Sequence, residues 1–512
     1  MGAPKVKFTL GQGGLGRPLQ GFDHYSALIA YYYAASVNTD YANIGDKIYT
    51  SLLDAENDGV IDTCAESTAA TSSQTVTATG SDGDTIVITW TNLDGTVITL
   101  GSYTKVSGDS TVTLVKTALV AAVNAQTYIT GFSATAGSVG AWTITAPKKQ
   151  GVYPNSLSCT QTIVGTLANT NNAFSGGTKS NLAIFHYQIA EFFRMNPLGI
   201  LFFSIKFDDS AQSASAYNTQ VKSDGLSVLN AFKGNARQTL VYNPYRTFAT
   251  STLDALKTLR TTLLNQYTPS IFGYVGAYSG ALSAQTNLRA LSDDGVACII
   301  GQSGSGVGYE KSKTQQTIIG AGGTWLGTQS AAAVSQSIAE VQAFNISDGT
   351  EFETPEFFDG TDFITISQAL ADQLHDYGYS FVLKFKGGFN GSYWNSGCCA
   401  VSPSSDYAYT EDCRTIDKAI RQTYLSILPL LNAKNTVNSD GTLSTASIAG
   451  YNEKVDQALD SMVRDQDLSG FSRVVSTTAV VATTGIVPIN IKLLKSPIGR
   501  EIDITIGFVA KL

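Results

Sequence analysis

Charge is scarce in this 512-residue chain: Asp, Glu, Lys and Arg make up 14% of it, against about 25% in ordinary soluble domains. No arginine occurs between Arg17 and Arg194, and Gly, Ser, Thr, Ala and Asn fill the gap. A surface so weakly charged disperses poorly alone at high concentration, which suits a protein packed against other subunits. The net charge of −8, with no Lys/Arg cluster, excludes a nucleic-acid grip, which must neutralise phosphates. Histidine is limited to His24, His186 and His375, and cysteine to Cys64, Cys159, Cys298, Cys398, Cys399 and Cys413, with no CxxC pair. Zinc ligands are therefore short; reduced, buried thiols and no metal or other cofactor are expected. No window approaches the roughly 18 apolar residues of a membrane span, so no membrane insertion is expected. The opening MGAPKVKFTLGQGGLGRPLQG has no apolar core or cleavage signature of a signal peptide, and folding in a cytoplasm is expected.

Apolar content is not scarce. At 43% it excludes wholesale disorder, and at about 150 residues per domain the length suggests about three domains. Four regions differ in texture. Residues 1–63 begin with a Gly-rich arm, continue through FDHYSALIAYYY, which reads as strand or short helix, and reach NIGDKIYTSLLDAENDGV, where Asp46 is a candidate helix cap and Gly59 a terminator. Residues 64–180 are Thr-rich, with period-two runs such as DTIVITW around the Asp82-Gly83 and Asp94-Gly95 turns and one helical run, STVTLVKTALVAAVNAQ. They read as an inserted β-rich module. Residues 181–400 alternate helical and strand patterns, as a parallel sheet with crossover helices requires. SAAAVSQSIAEVQAFN reads as a helix there, and so does the start of SQALADQLHDYGYSFVLKFKG. Residues 401–512 contain two helical runs, RTIDKAIRQTYLSILPLL and TASIAGYNEKVDQALDSMVRDQ, then two period-two strands, VPINIKLL and REIDITIGFVAKL. The fold class expected is mixed α/β, multidomain, with an inserted β-rich domain.

The chemical motifs are weak. GQSGSGVG at 301–308 follows the strand-like VACII but is neither GxGxxG nor GxxxxGK[ST], so it reads as a flexible surface loop rather than a phosphate cradle. GxSxG and HExxH are absent. His375 beside Asp376 reads as a surface histidine at a helix C-terminus, and the carboxylates of 348–362 lack Ca²⁺-loop spacing and read as a solvated acidic loop. No catalytic residue is assigned, and an enzyme is not expected.

The ends carry more information. In the closing segment Ile502, Ile504, Ile506 and Phe508 alternate with Asp503, Thr505 and Gly507. A strand without a partner leaves N–H and C=O groups unpaired, and donation to a neighbouring subunit's sheet satisfies them. Such a contact does not close on itself and generates rings or helical filaments.

Several segments together resemble contractile tail sheath proteins of bacteriophages and related injection particles. They are GGLGRPLQGFDHYSALI, NIGDKIYTSLLDAENDGV, HYQIAEFFRMNPLGILFF, YGYSFVLKFKGGFNGSYWN, RTIDKAIRQTYLSILPLLN and PINIKLLKSPIGREIDITIGF. The matching pieces skip 64–180. The resemblance implies a virion-tail subunit, assembled in the host bacterial cytoplasm, that stacks with itself as hexameric rings around an inner tail tube and meets baseplate and tail terminator proteins. It implies contraction that drives the tube through an envelope for genome ejection; the sheath of a bacteriocin-like particle, or less readily an α/β enzyme, is the alternative. It also implies terminal arms that exchange strands, with 64–180 facing outward. Candidate assembly residues are then the spacer glycines Gly11, Gly13, Gly14 and Gly16, the apolar strand Ile502, Ile504, Ile506 and Phe508, and the cations Lys492, Lys495, Arg500 and Lys511, offered to an acidic tube or neighbour. The turn Ser496-Pro497-Ile498-Gly499 is a candidate hinge.

Overall fold

A computed structural model describes residues 23–33, 41, 44–209, 211–504 and 506–508. Gly11, Gly13, Gly14, Gly16 and Lys511 lie outside the described residues.

The first strand, β1 (Tyr25–Tyr32), is buried along nearly its whole length and apolar except at Ser26, as a strand covered on both faces tends to be. It resolves the strand-or-helix ambiguity of the sequence. After it come β2 (Lys47–Tyr49) and the short helix α1 (Leu52–Asn57). Ser51, not Asp46, caps α1: its hydroxyl accepts from Asp54 N at 3.2 Å. Asp46 instead accepts from the Ser204 hydroxyl at 2.6 Å, and its φ of 53° keeps it out of a helical entry.

The next unit contains β3 (Thr71–Thr79), β4 (Thr85–Thr91), β5 (Val97–Thr104), α2 (Val112–Ala125), the single turn α3 (Thr127–Thr130), β6 (Ser133–Ala136), β7 (Ala141–Thr145), β8 (Thr160–Val164) and β9 (Leu167–Asn171). Its strands form two antiparallel sheets, in the orders β6-β7-β3-β9 and β5-β4-β8. They enclose a hydrophobic core of their own that holds Trp90, Phe132, Trp142 and Phe174. The two ends of this unit meet: Thr178 N donates to Thr68 O at 3.0 Å and Thr68 N to the Thr178 hydroxyl at 2.7 Å.

The central body follows, with α4 (Asn181–Met195), β10 (Ile200–Phe207), α5 (Ala214–Ala231), β11 (Gln238–Thr247), α6 (Thr250–Asn265), β12 (Ile271–Ala277), β13 (Ser292–Asp293), β14 (Val296–Ile299) and β15 (Gly301–Ser303). Then come α7 (Gly306–Thr314), α8 (Gly322–Ala331), β16 (Pro355–Phe357), α9 (Gln368–Asp376), β17 (Tyr379–Ser380), β18 (Val382–Leu383), β19 (Tyr393–Trp394) and β20 (Ala400–Val401). Seven strands make the main sheet in the order β17-β14-β12-β11-β1-β10-β2, parallel except for β2 at its edge. Alternate residues of β1 serve opposite faces. Leu28 and Ala30 join the core beneath α4 and α8, whereas Ala27, Ile29 and Tyr31 join the core beneath α5 and α6. The result is a three-layer α/β/α body within a mixed α/β fold of several sheets.

One helix differs from the sequence reading. The helix expected over SAAAVSQSIAEVQAFN ends at Ala331, and an earlier, Gly-rich run, GGTWLGTQSA, is helical instead. The Arg414 guanidinium donates to Ala332 O at 3.2 Å and Ala333 O at 3.3 Å, taking carbonyls at the helix end that further turns would otherwise engage. The glycines of α8 let it lie directly on α4: a Cβ at Gly323 would stand 2.0 Å from Gln188 O, and one at Gly327 would stand 2.5 Å from Phe192 O.

The chain ends with α10 (Thr410–Ile427), α11 (Thr445–Arg464), β21 (Leu468–Val475), the single turn α12 (Val481–Thr484) and β22 (Ile489–Lys495). The strand expected over VPINIKLL is β22. Among the described residues of REIDITIGFVAKL the expected strand is not formed: residues 501–504 and 506–508 have no strand pairing.

Gly323→Ala is expected to destabilise the body by about 1–3 kcal/mol through overpacking. Gly450→Ala, in α11 with nothing within 4 Å, is expected to stabilise by about 0.5–1 kcal/mol. Urea unfolding of the two variants checks both signs. Replacing 70–176 by a short Gly/Ser bridge between the paired Thr68 and Thr178 is expected to leave the remainder folded, as read by circular dichroism and a single cooperative melt.

Candidate assembly surface

The last hundred residues divide α10 into two halves of opposite character. From Thr410 to Ala419 nearly every residue is buried, including Glu411, Asp412, Arg414, Asp417 and Lys418. Buried charges must be paired or hydrogen-bonded. Arg260 of α6 grips Asp417 with two nitrogens at 2.7 and 2.9 Å. Lys418 reaches Asp467 at 2.6 Å and Asp23 at 3.0 Å, and Arg421 reaches Asp23 at 3.5 Å. Burial holds Arg414 down to about 10 and raises the Asp467 carboxyl above its usual range, opposed there by Lys418. This half of α10 is the joint between the terminal unit and the central body.

The second half of α10 faces an open groove of about 890 Å³. Ile416, Ile420, Tyr424 and Ile427 line one wall, and Ile489 and Ile491 of β22 line the other. The same face of β22 packs on Val455, Leu459 and Met462 of α11. The sheet has only two strands, so the outer edge of β22 has no strand partner among the described residues. A groove with apolar walls and an open strand edge can receive an extended segment that alternates apolar and polar residues.

Such a segment stands at the end of the chain. Ile502, Ile504, Ile506 and Phe508 are 82%, 70%, 89% and 109% exposed. Burying four such side chains is worth about 1.5–3 kcal/mol each, and no contact within the described chain realises it. Of the cations considered with them, Lys492 and Lys495 are exposed, and Lys495 and Arg500 also have partners within the chain. Lys495 pairs with Asp412 at 3.0 Å. Arg500 pairs with buried Glu411, lies 3.4 Å from the centre of the Tyr409 ring, and donates to the Ser396 hydroxyl at 3.3 Å. The turn 496–499 is thus strapped at both ends to the first turn of α10 and is not a free hinge. Burial raises the Glu411 carboxyl above its ordinary range, with Arg500 pulling the other way.

The motifs weighed for chemistry fall elsewhere. The GQSGSGVG run is largely structural, not a surface loop: Gly301, Gln302 and Ser303 are buried as β15, and α7 starts at Gly306. The anion position at the start of α7 is filled by Glu351, which accepts from Val307 N and Gly308 N and from the Tyr187 hydroxyl at 3.1 Å. The 348–362 segment is accordingly not simply solvated; Glu351, Phe352 and Phe357 are buried. His375 is half-buried with Nδ1 3.2 Å from the Asn395 amide nitrogen, and burial lowers its pKa. No group of three or more His, Cys, Asp or Glu with metal-site geometry occurs among the described residues, and no described helix is long and apolar enough to cross a membrane.

Comparison with known proteins returns the same stretch. A family profile described as DUF2586, C-terminal domain, matches residues 406–512, which span α10, the groove and the exposed terminal segment. No curated protein matches in sequence. Two solved structures are similar in backbone outline. One is the anti-feeding prophage (AFP) baseplate, 6-fold symmetrised, with 11% identity and a TM-score of 0.42 over 66% of this chain and 84% of that one. The other is an extracellular contractile injection system, the PVC sheath complex in its contracted state, with 8% identity and a TM-score of 0.36 over 64% of this chain and 81% of that one. Both belong to contractile injection systems.

The groove wall on α10 was available to sequence reading, since Ile416, Ile420, Tyr424 and Ile427 recur at helical spacing. The Arg500–Glu411 strap was not, because 89 residues separate the partners.

Arg500→Ala is expected to destabilise the terminal unit by about 1–3 kcal/mol, since it leaves a buried carboxylate unpaired. A carboxyl raised in the folded state loses stability as pH rises from its unfolded value toward its folded one. Without Arg500 that loss deepens, so the deficit against wild type is expected to be larger at pH 8 than at pH 5. Denaturation at the two pH values measures it.

Proposed function

We propose that this chain is a structural subunit of a contractile tail sheath, polymerising through its ends around an inner tail tube. The observation that carries the reading is the terminal run Ile502, Ile504, Ile506 and Phe508, apolar on alternate residues and exposed, in a chain where the edge of β22 beside an apolar groove has no strand partner among the described residues. Donor and acceptor in one molecule, joined to different copies, give a heterologous contact that propagates. The segments that resemble sheath proteins supply the rest: stacked hexameric rings, contact with baseplate and terminator proteins, and shortening that drives the tube through a target envelope. In this reading the central body and the joint on α10 move as one piece, and shape change occurs at contacts between subunits. The β-rich unit, with its own core and its two ends side by side, faces outward and takes no part in the lattice.

The test is truncation after Glu501, which removes the apolar segment and keeps the Arg500 strap. Full-length protein is expected to form hollow tubes or stacked rings in negative-stain electron microscopy at high concentration, or when seeded with its tube. The truncated protein is expected to stay a folded monomer under the same conditions. Normal polymerisation of the truncated chain would refute the strand-donor reading.

A further inference from the structure

We propose that Cys399 and Cys413 are a modification site: they join as an intramolecular disulfide when the folded protein meets a small-molecule disulfide oxidant. All six cysteines are reduced and buried, but these two are paired by the fold. Their sulfurs lie 4.0 Å apart. Cys399 N donates to Ala408 O at 3.0 Å, and Cys413 N donates to Tyr409 O at 3.1 Å. Adjacent residues 408 and 409 therefore hold the two cysteine backbones against each other. A disulfide requires a separation of about 2.05 Å, so side-chain rotation has roughly 2 Å to close.

The third cysteine of the cluster is differently engaged. Arg289 donates to the Cys398 sulfur at 3.2 Å, and the same guanidinium binds the carbonyls of Cys399, Val401 and Ala408. This fixes the backbone on both sides of the pair and keeps Cys398 on a different partner. The pairing is thus specific, Cys399 with Cys413.

Both sulfurs are shielded from solvent, and burial pushes the Cys399 thiol well up, so the pair is unreactive in the closed protein. Its cover is thin. The stretch 402–407 is mostly exposed, with Pro403, Ser404, Asp406 and Tyr407 on the surface, and the Tyr407 carbonyl accepts the Cys413 thiol at 3.5 Å. Opening of this loop is the proposed route by which the oxidant reaches the pair. One thiol then loses its proton and attacks glutathione disulfide, forming a mixed disulfide and releasing one glutathione. The second thiol, also deprotonated, attacks that mixed disulfide and releases the other glutathione. Two thiols are oxidised to one disulfide, one glutathione disulfide is reduced to two thiols, and the two protons end on the glutathiones. The product staples the chain beside β20 to the first turn of α10, across the joint that holds the terminal unit.

The test treats reduced, folded full-length protein with glutathione disulfide and digests it on the N-terminal side of aspartate under non-reducing conditions. Cleavage before Asp406 and Asp412 puts Cys398 and Cys399 on one peptide and Cys413 on another. The expected result is a linked pair of these peptides, with the link at Cys399 by fragmentation, together with a rise in melting temperature that reductant reverses. A Cys413→Ser variant is expected to give neither, and the wild-type digest stands alone if that variant fails to fold. A link at Cys398, a glutathione adduct without a link, a link between two chains, or no change in melting temperature on linkage would each overturn the proposal.

Discussion

Nine buried residues at the start of α10 decide how this protein is put together. Three carboxylates, Glu411, Asp412 and Asp417, and two cations, Arg414 and Lys418, sit within that stretch, and all five are buried. None would be tolerated without its partner, because an isolated buried charge costs several kcal/mol. The partners come from widely separated parts of the chain: Asp23 before β1, Arg260 on α6, the carbonyls after α8, Asp467 before β21, Lys495 at the end of β22 and Arg500 after it. The helix therefore cannot leave the body without stranding charges on both sides. A loosely attached terminal unit would need only an apolar contact here; this one is keyed in place by directional pairs, which favour one arrangement over its neighbours.

That rigidity gives the exposed end its meaning. Four large apolar side chains seldom stand together in water unless something covers them. Here the flanking strap is firm, the groove beside β22 is open, and the interior of the body is already complete. The helix N-terminus that follows the glycine-rich run is occupied by Glu351 of the same chain, so the body supplies its own anion there. The terminal unit carries a run of exposed apolar side chains, Ile502, Ile504, Ile506 and Phe508, which the proposed contact between copies would cover.

Much of this was legible from residue order. The largely apolar run of β1, the alternation of Ile489, Ile491 and Leu493 in β22, and the Thr-rich alternation of β3 to β9 each follow from a local pattern that burial imposes. The terminal segment was legible as a strand pattern, and its failure to pair inside the chain is a matter of partners rather than propensity. What local pattern could not show was long-range. Three glycines hid α8, because their value lies in close contact with α4 rather than in helix propensity. The stop after Ala331 depends on Arg414, far along the chain. Lys495 and Arg500 look like free surface cations until Asp412 and Glu411 are brought beside them.

The strap has a geometric consequence. Beyond Arg500 the chain is a tether whose root is fixed, and the eight residues to Phe508 span at most roughly 26–29 Å when fully extended. An acceptor edge farther than that from Glu411 is out of reach whatever its chemistry. One inside that radius meets the segment at an effective concentration set by the tether rather than by the solution. In the proposed strand-donor lattice, once two copies are held near each other by any other contact, linkage becomes a local event, and each copy so linked would carry its own tether outward to the next.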